Sequence, residues 1–153
     1  MPRLIKHGAI VEDDWLPAQE DGAGEAHILT LEQWTQRADK QGLAVQLEPG
    51  QAPSPLFDSL QQIPLVAINF PVFTDGRGFS YGRELRERGF TGELRACGHI
   101  LPDQMTYLRR CGFDAFQLAD EGRLEEALAG LADFDEYYQA SIDQPLPLFR
   151  RRG

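Results

Sequence analysis

The chain has 153 residues, enough for one domain with a sizeable core, and its 42% hydrophobic, 25% charged composition is that of an ordinary globular protein. A formal net charge of −9 argues against binding nucleic acid through phosphate neutralisation. The longest apolar run, Pro64 to Phe70, is strand-sized rather than membrane-sized, and Met1-Pro2-Arg3-Leu4-Ile5-Lys6 lacks a secretory h-region. With two cysteines, Cys97 and Cys111, too far apart for a CxxC pair, the expectation is a reducing, cytoplasmic setting.

Residues 1–29 form an irregular N-terminal segment in which Arg3 to Val11 reads as a strand, followed by an acidic loop and a short strand at Ile28-Leu29. Thr30 opens a helix through a Thr-x-x-Gln capping box with Gln33, and Gly42 closes it. Leu43 to Leu47 alternates as a strand, and Pro53 to Gln62 reads as a helix with Leu56, Phe57 and Leu60 inward. Leu65 to Phe70 is a nearly continuous apolar run, expected for a strand buried on both faces.

A helix over Ser80 to Arg88 follows, then a strand over Leu94 to Ile100 and a helix over Pro102 to Cys111. A strand over Ala115 to Ala119 and a helix over Gly122 to Leu131 complete the pattern. Two helix endings echo each other, Arg88-Gly89-Phe90 and Cys111-Gly112-Phe113: glycine takes the left-handed conformation and the phenylalanine packs back on the last turn. Repeated βα units predict an α/β fold with a mostly parallel sheet, either an open three-layer sheet or a partial barrel. Residues 1–138 form the single domain, and 139–153, with Gln144-Pro-Leu-Pro-Leu-Phe-Arg-Arg-Arg, read as an extended tail. That tail is a loosely docked terminus, or a docking strip anchored by Leu146, Leu148 and Phe149.

In such folds ligands bind beyond the carboxyl ends of the strands. The most distinctive loop there is Asp75-Gly76-Arg77-Gly78-Phe79-Ser80, which feeds a helix N-terminus. Its glycines allow close backbone approach, Ser80 is placed to cap the helix, and Arg77 adds a fork of donors, a combination suited to a small anion. It is neither a Walker loop nor the dinucleotide fingerprint, and the alternative is a structural turn with an Asp75–Arg77 ion pair. Arg83, Arg86 and Arg95 add positive charge nearby, although Arg83–Glu87 and Glu84–Arg88 at helical spacing fit a solvated face.

Cys97 and His99, next but one on a strand, share a face by the pleat alone, with no third orienting group. Cys111 at a helix C-terminus is disfavoured as a thiolate. His99 with Asp103 is too weak a pairing for a metal site, His7 and His27 add no ligand pattern, and two cysteines cannot supply a self-contained iron–sulfur cluster. No metal and no cofactor is assigned from these residues.

The block Asn69-Phe-Pro-Val-Phe-Thr-Asp-Gly-Arg-Gly-Phe-Ser80, with Gly92-Glu-Leu-Arg-Ala-Cys-Gly98, Asp103-Gln104 and Arg110-Cys-Gly-Phe-Asp-Ala-Phe116, resembles an uncharacterised bacterial family. Its members are described as a domain of unknown function or as probable oxidoreductases of sulfite reduction. The resemblance runs from about Leu43 to Tyr138. It implies a place beside assimilatory sulfite or nitrite reductase: an accessory protein with a small-anion or cofactor site at the strand ends, and a reductase subunit as partner. The family more often has Val and Asp where this chain has Cys97 and His99. That leaves Asp75, Gly76, Arg77, Gly78, Ser80, Arg95, Asp103 and Gln104 as the site candidates. No residue supplies redox chemistry unaided, so an oxidoreductase component would need a bound cofactor or a partner's haem and cluster. The rival expectation is a non-catalytic module that docks a reductase subunit.

Overall fold

A computed structural model of the chain describes residues 3–13, 15, 27–72 and 76–138. Seven strands and four α-helices alternate with short 3-10 segments. In chain order they are β1 (Arg3–Lys6), β2 (Ala9–Glu12), β3 (Ile28–Thr30), α1 (Leu31–Gln36), β4 (Ala44–Leu47), β5 (Leu65–Phe70), α2 (Arg77–Glu87), β6 (Glu93–Gly98), α3 (Met105–Arg110), β7 (Ala115–Leu118) and α4 (Leu124–Tyr138). All seven strands form one sheet, in the order β2-β1-β7-β6-β5-β4-β3. β3 to β7 run parallel to one another, and β1 pairs antiparallel with both β2 and β7.

The N-terminal stretch is therefore a hairpin and not the single strand expected over Arg3 to Val11. His7 at φ 55° and Gly8 at φ 76° take the two left-handed positions of a tight turn that reverses the chain. A further consequence of the order is that β2 and β3, consecutive in sequence, lie at opposite edges of the sheet.

β3 to β7 are laid down side by side without a reversal of direction. Their alternate residues Leu29, Val45, Leu47, Val66, Ile68, Phe70, Leu94, Ala96, Phe116 and Leu118 share one buried cluster with the helix residues Trp34, Leu85, Met105, Leu108, Leu124 and Leu131. The buried residues of the described helices thus collect on one face of the sheet. Among the described residues no helix forms the third layer that was one of the two expected arrangements. The opposite face carries a small cluster of Ile28, Ala44 and Leu65 with Trp15 packed on it, and beyond that it mixes buried apolar residues (Leu4, Ala67, Ala115) with polar ones such as Arg95, Asn69 and Gln117.

Local chemistry explains most boundaries. Thr30 caps α1 as expected: its hydroxyl accepts from Gln33 N at 3.2 Å while Gln33 Oε1 accepts from Thr30 N at 2.9 Å. That helix stops at Gln36, well before Gly42, as Lys40 folds back to donate to the carbonyls of Trp34 and Thr35. Pro53 to Gln62 is a 3-10 segment over Ser54–Gln62, with Leu56 and Leu60 buried as expected and Phe57 half-buried beneath Arg88. Both Gly-Phe endings form: Gly89 and Gly112 have φ of 97° and 104°, and Phe90 N and Phe113 N donate to Leu85 and Leu108 carbonyls at 3.0 and 3.2 Å. No described helix is long and apolar enough to cross a membrane.

Candidate functional site

The carboxyl ends of β3 to β7 share one edge of the sheet, since the five strands are parallel and in register. At the end of β5 the glycine-rich loop is shorter than the sequence suggests. Helix α2 begins at Arg77, with Gly76 as its N-cap, so Ser80 is an exposed residue inside the first turns and not the cap. Close packing accounts for this early start. A Cβ on Gly78 would lie 2.6 Å from the Phe70 ring and 2.9 Å from Ile68, and one on Gly82 2.5 Å from Phe113. The two glycines, one turn apart, let α2 lie directly on the aromatic core. Gly78 therefore serves packing, while Gly76 and Arg77 are exposed, and Arg77 reaches towards Gly50 in the loop after β4. Asp75 lies outside the described residues.

Arg95, expected as an anion ligand, is fully committed elsewhere. It projects from the middle of β6 onto the polar face and is 0% exposed. Nη1 and Nη2 bind the two oxygens of Asp13 at 2.8 and 3.1 Å, Nε donates to Glu93 at 2.9 Å, and Nη1 also reaches Gln117 Oε1 at 3.3 Å. Nη2 meets Glu93 at 2.8 Å, and Lys6 meets the other Glu93 oxygen at 2.9 Å. Two cations and two carboxylates close on themselves, and every guanidinium nitrogen is engaged. A buried arginine in this state has no donor left for a ligand. Its effect is to fasten Asp13, just after β2, onto β6 at the centre of the sheet.

Asp103 is exposed in the 3-10 turn Pro102–Gln104, and Gln104 Oε1 accepts from Leu101 N at 2.8 Å, closing that turn. This turn packs against α4. His99 lies beyond the end of β6 and is exposed, while Cys97 stays within the strand on the polar face. Gly98 between them, at φ 100°, breaks the regular pleat that was expected to set both on one face. Arg83 and Glu87 do not form the expected ion pair; Arg83 instead points to the Cys111 sulfur at 3.5 Å, whereas Arg88 does meet Glu84 at 4.0 Å.

Burial pushes the Cys97 thiol up to about 12, with Arg95 pulling it down and Glu48 pushing it further up. At neutral pH the group is a thiol and a poor nucleophile. Its folded value lies above the unfolded one, so folding loses stability as pH rises from about 9 towards 12, where only the unfolded chain releases the proton. The rate of Cys97 alkylation by iodoacetamide in the native protein is expected to keep climbing past pH 10. A plateau near pH 9, read by mass spectrometry of the labelled peptide, would show a solvent-like thiol instead.

What the sequence reading missed is a row of carboxamides on the polar face. Gln46, Asn69 and Gln117 alternate with the core residues of β4, β5 and β7, and the strand pairing sets Asn69 beside Cys97 and Cys97 beside Gln117. Gln46 Nε2 and Asn69 Nδ2 both donate to Glu48, at 2.7 and 2.8 Å. Together with Gly98 these residues border a cleft of about 330 Å³ at the strand ends. The signal was present: Asn69 interrupts an otherwise apolar strand, and a glutamine stands between the core residues of β4 and of β7.

Comparison with known proteins adds one match. A family model described as "Bacterial protein of unknown function (DUF934)" covers residues 44–149, from β4 past the end of α4. Among curated proteins nothing matches the chain.

Proposed function

The chain belongs to this bacterial family of unknown function, DUF934, and from that premise we propose that it is a cytoplasmic accessory protein of assimilatory sulfite reduction, a binding module working beside a sulfite or nitrite reductase subunit. The one-directional winding of β3 to β7 is read as an open partial barrel whose strand-end rim is the working surface. One observation carries the binding role: the groups best suited to chemistry at that rim are already engaged. Arg95 is saturated by Asp13, Glu93 and Gln117, Gly78 is spent on Phe70, and the Cys97 thiol is held protonated. The rim offers hydrogen bonds and exposed side chains such as Val72 and Tyr107, which suit recognition. The pathway is supported by the resemblance of the block from Asn69 to Ser80.

A second reading keeps a small anion at the start of α2. It is favoured by Arg77, exposed in the first turn of an 11-residue helix capped by Gly76. As an oxidoreductase component the protein would then rely on a cofactor or on its partner's redox centres.

Deleting the gene in its bacterial host is expected to slow growth with sulfate as sulfur source and to leave growth on cysteine unchanged. Equal growth on both overturns the pathway assignment. Full rescue by an Arg77→Ala copy favours the binding module, and failure of that copy, with the protein folded and present, favours the anion reading.

A further inference from the structure

The carboxamide cleft at the strand ends has a chemistry that nothing above uses. Gln46 and Asn69 each give one N–H to Glu48, and their oxygens remain acceptors, Gln46 Oε1 with the Cys97 sulfur at 3.9 Å and room for a second donor; Asn69 Oδ1 lies over Gly98, within 2.5 Å of where a Cβ would stand. Gln117 is turned the other way. Its oxygen accepts from Arg95, and its amide nitrogen has no protein acceptor among the described residues. The cleft therefore presents carbonyl oxygens on one side and an N–H donor on the other.

Charge does not select the ligand. Asp13 at the border is paired two-fold with Arg95, and Glu121 meets Arg3 at 3.4 Å. The Glu48 carboxylate behind Gln46 and Asn69 has no cationic partner among the described residues and disfavours an anion. Gly98 lets Asn69 Oδ1 and the Phe70 carbonyl come close over the strand end, since a Cβ there would stand 2.5 and 2.7 Å from them. At about 330 Å³ the volume falls at the small end of ligand sites and suits a single ring.

We propose that this cleft binds a small uncharged molecule carrying an N–H donor beside a C=O acceptor on one edge: a primary amide, a lactam or a pyrimidine. The ligand's N–H meets the oxygens of Asn69 and Gln46, and its carbonyl accepts from Gln117. This holds whether or not the pathway assignment stands, since it concerns the cleft alone.

The test is an NMR titration of the full-length ¹⁵N-labelled protein, following the side-chain NH₂ signals of Asn69 and Gln117. Uracil and nicotinamide serve as uncharged probes and sodium sulfite as the anionic control. Saturable shifts with an uncharged probe and none with sulfite are expected. In Gln117→Glu, which keeps an acceptor for Arg95 but loses the N–H donor, binding should weaken about tenfold. Should that variant fail to fold, Asn69→Ala, which removes the acceptor oxygen offered to the ligand's N–H, serves the same purpose, read on the Gln117 signals. The proposal is overturned if neither uncharged probe moves these signals at millimolar concentration, if sulfite moves them equally, or if the folded variant binds as the wild type does.

Discussion

Arg95→Met is expected to lower the free energy of unfolding by about 3–5 kcal/mol, the largest effect of any single substitution on the polar face. The reason is what remains behind. Asp13 is 3% exposed and its partners in the ion pair are the two Arg95 Nη atoms, so removing the guanidinium leaves a buried carboxylate with no cation and, among the described residues, only the Trp15 N–H at 3.1 Å to bind it. Glu93 suffers less, because Lys6 still holds it at 2.9 Å. Replacing both members, Asp13→Leu with Arg95→Met, should recover much of the loss, since two well-packed apolar side chains substitute for a buried pair at little cost. Urea unfolding of the four proteins in this cycle gives the coupling directly. A loss below about 1 kcal/mol for Arg95→Met would mean that the pair behaves like a surface salt bridge.

Gly98→Ala should be the next most damaging change, by about 2–4 kcal/mol, because two penalties coincide. The φ of 100° is one that L-residues avoid, and a Cβ would stand 2.7 Å from the Phe70 carbonyl oxygen and 2.5 Å from Asn69 Oδ1. The carbonyl is fixed by the bond it accepts from His99 N at 2.7 Å, so Asn69 must yield and release Glu48. Thermal unfolding reads the first effect, and the shift of the Asn69 side-chain amide signal reads the second. Stability within about 0.5 kcal/mol of wild type would show that the strand end is free to relax.

These sites differ in how readable they were. The core strand Leu65 to Phe70 and the Gly-Phe helix endings announce themselves, because each depends on a few neighbouring residues. The start of α2 does not: Gly76 and Gly78 look like loop residues, and only the Phe70 ring lying against Gly78 explains why the helix begins so early. Arg95 was legible as a cation but not as a spent one, since its partner Asp13 is 82 residues away in sequence. The carboxamide row depends on register across four parallel strands, β4 to β7, a quantity that no single segment encodes. Gln46 and Gln117 are ordinary polar residues until the pairing sets them around Cys97.

The placement of β2 and β3 at opposite edges bears on how the chain is made. The hairpin Arg3 to Glu12 is made before every other strand of the sheet, yet the strand it joins, Ala115 to Leu118, is synthesised about a hundred residues later. At about 5–20 residues per second that interval is on the order of 5–20 seconds. An isolated two-stranded hairpin is marginal in water, so until β7 is made this one has no strand to join, and Asp13 waits about eighty residues for Arg95 and about twenty more for the strand that brings the two together. The β-to-α units from β3 onward need no such wait, each strand lying beside the one just made. Order of synthesis and order of assembly are therefore reversed for this hairpin, which precedes β3 to β7 along the chain and docks after them.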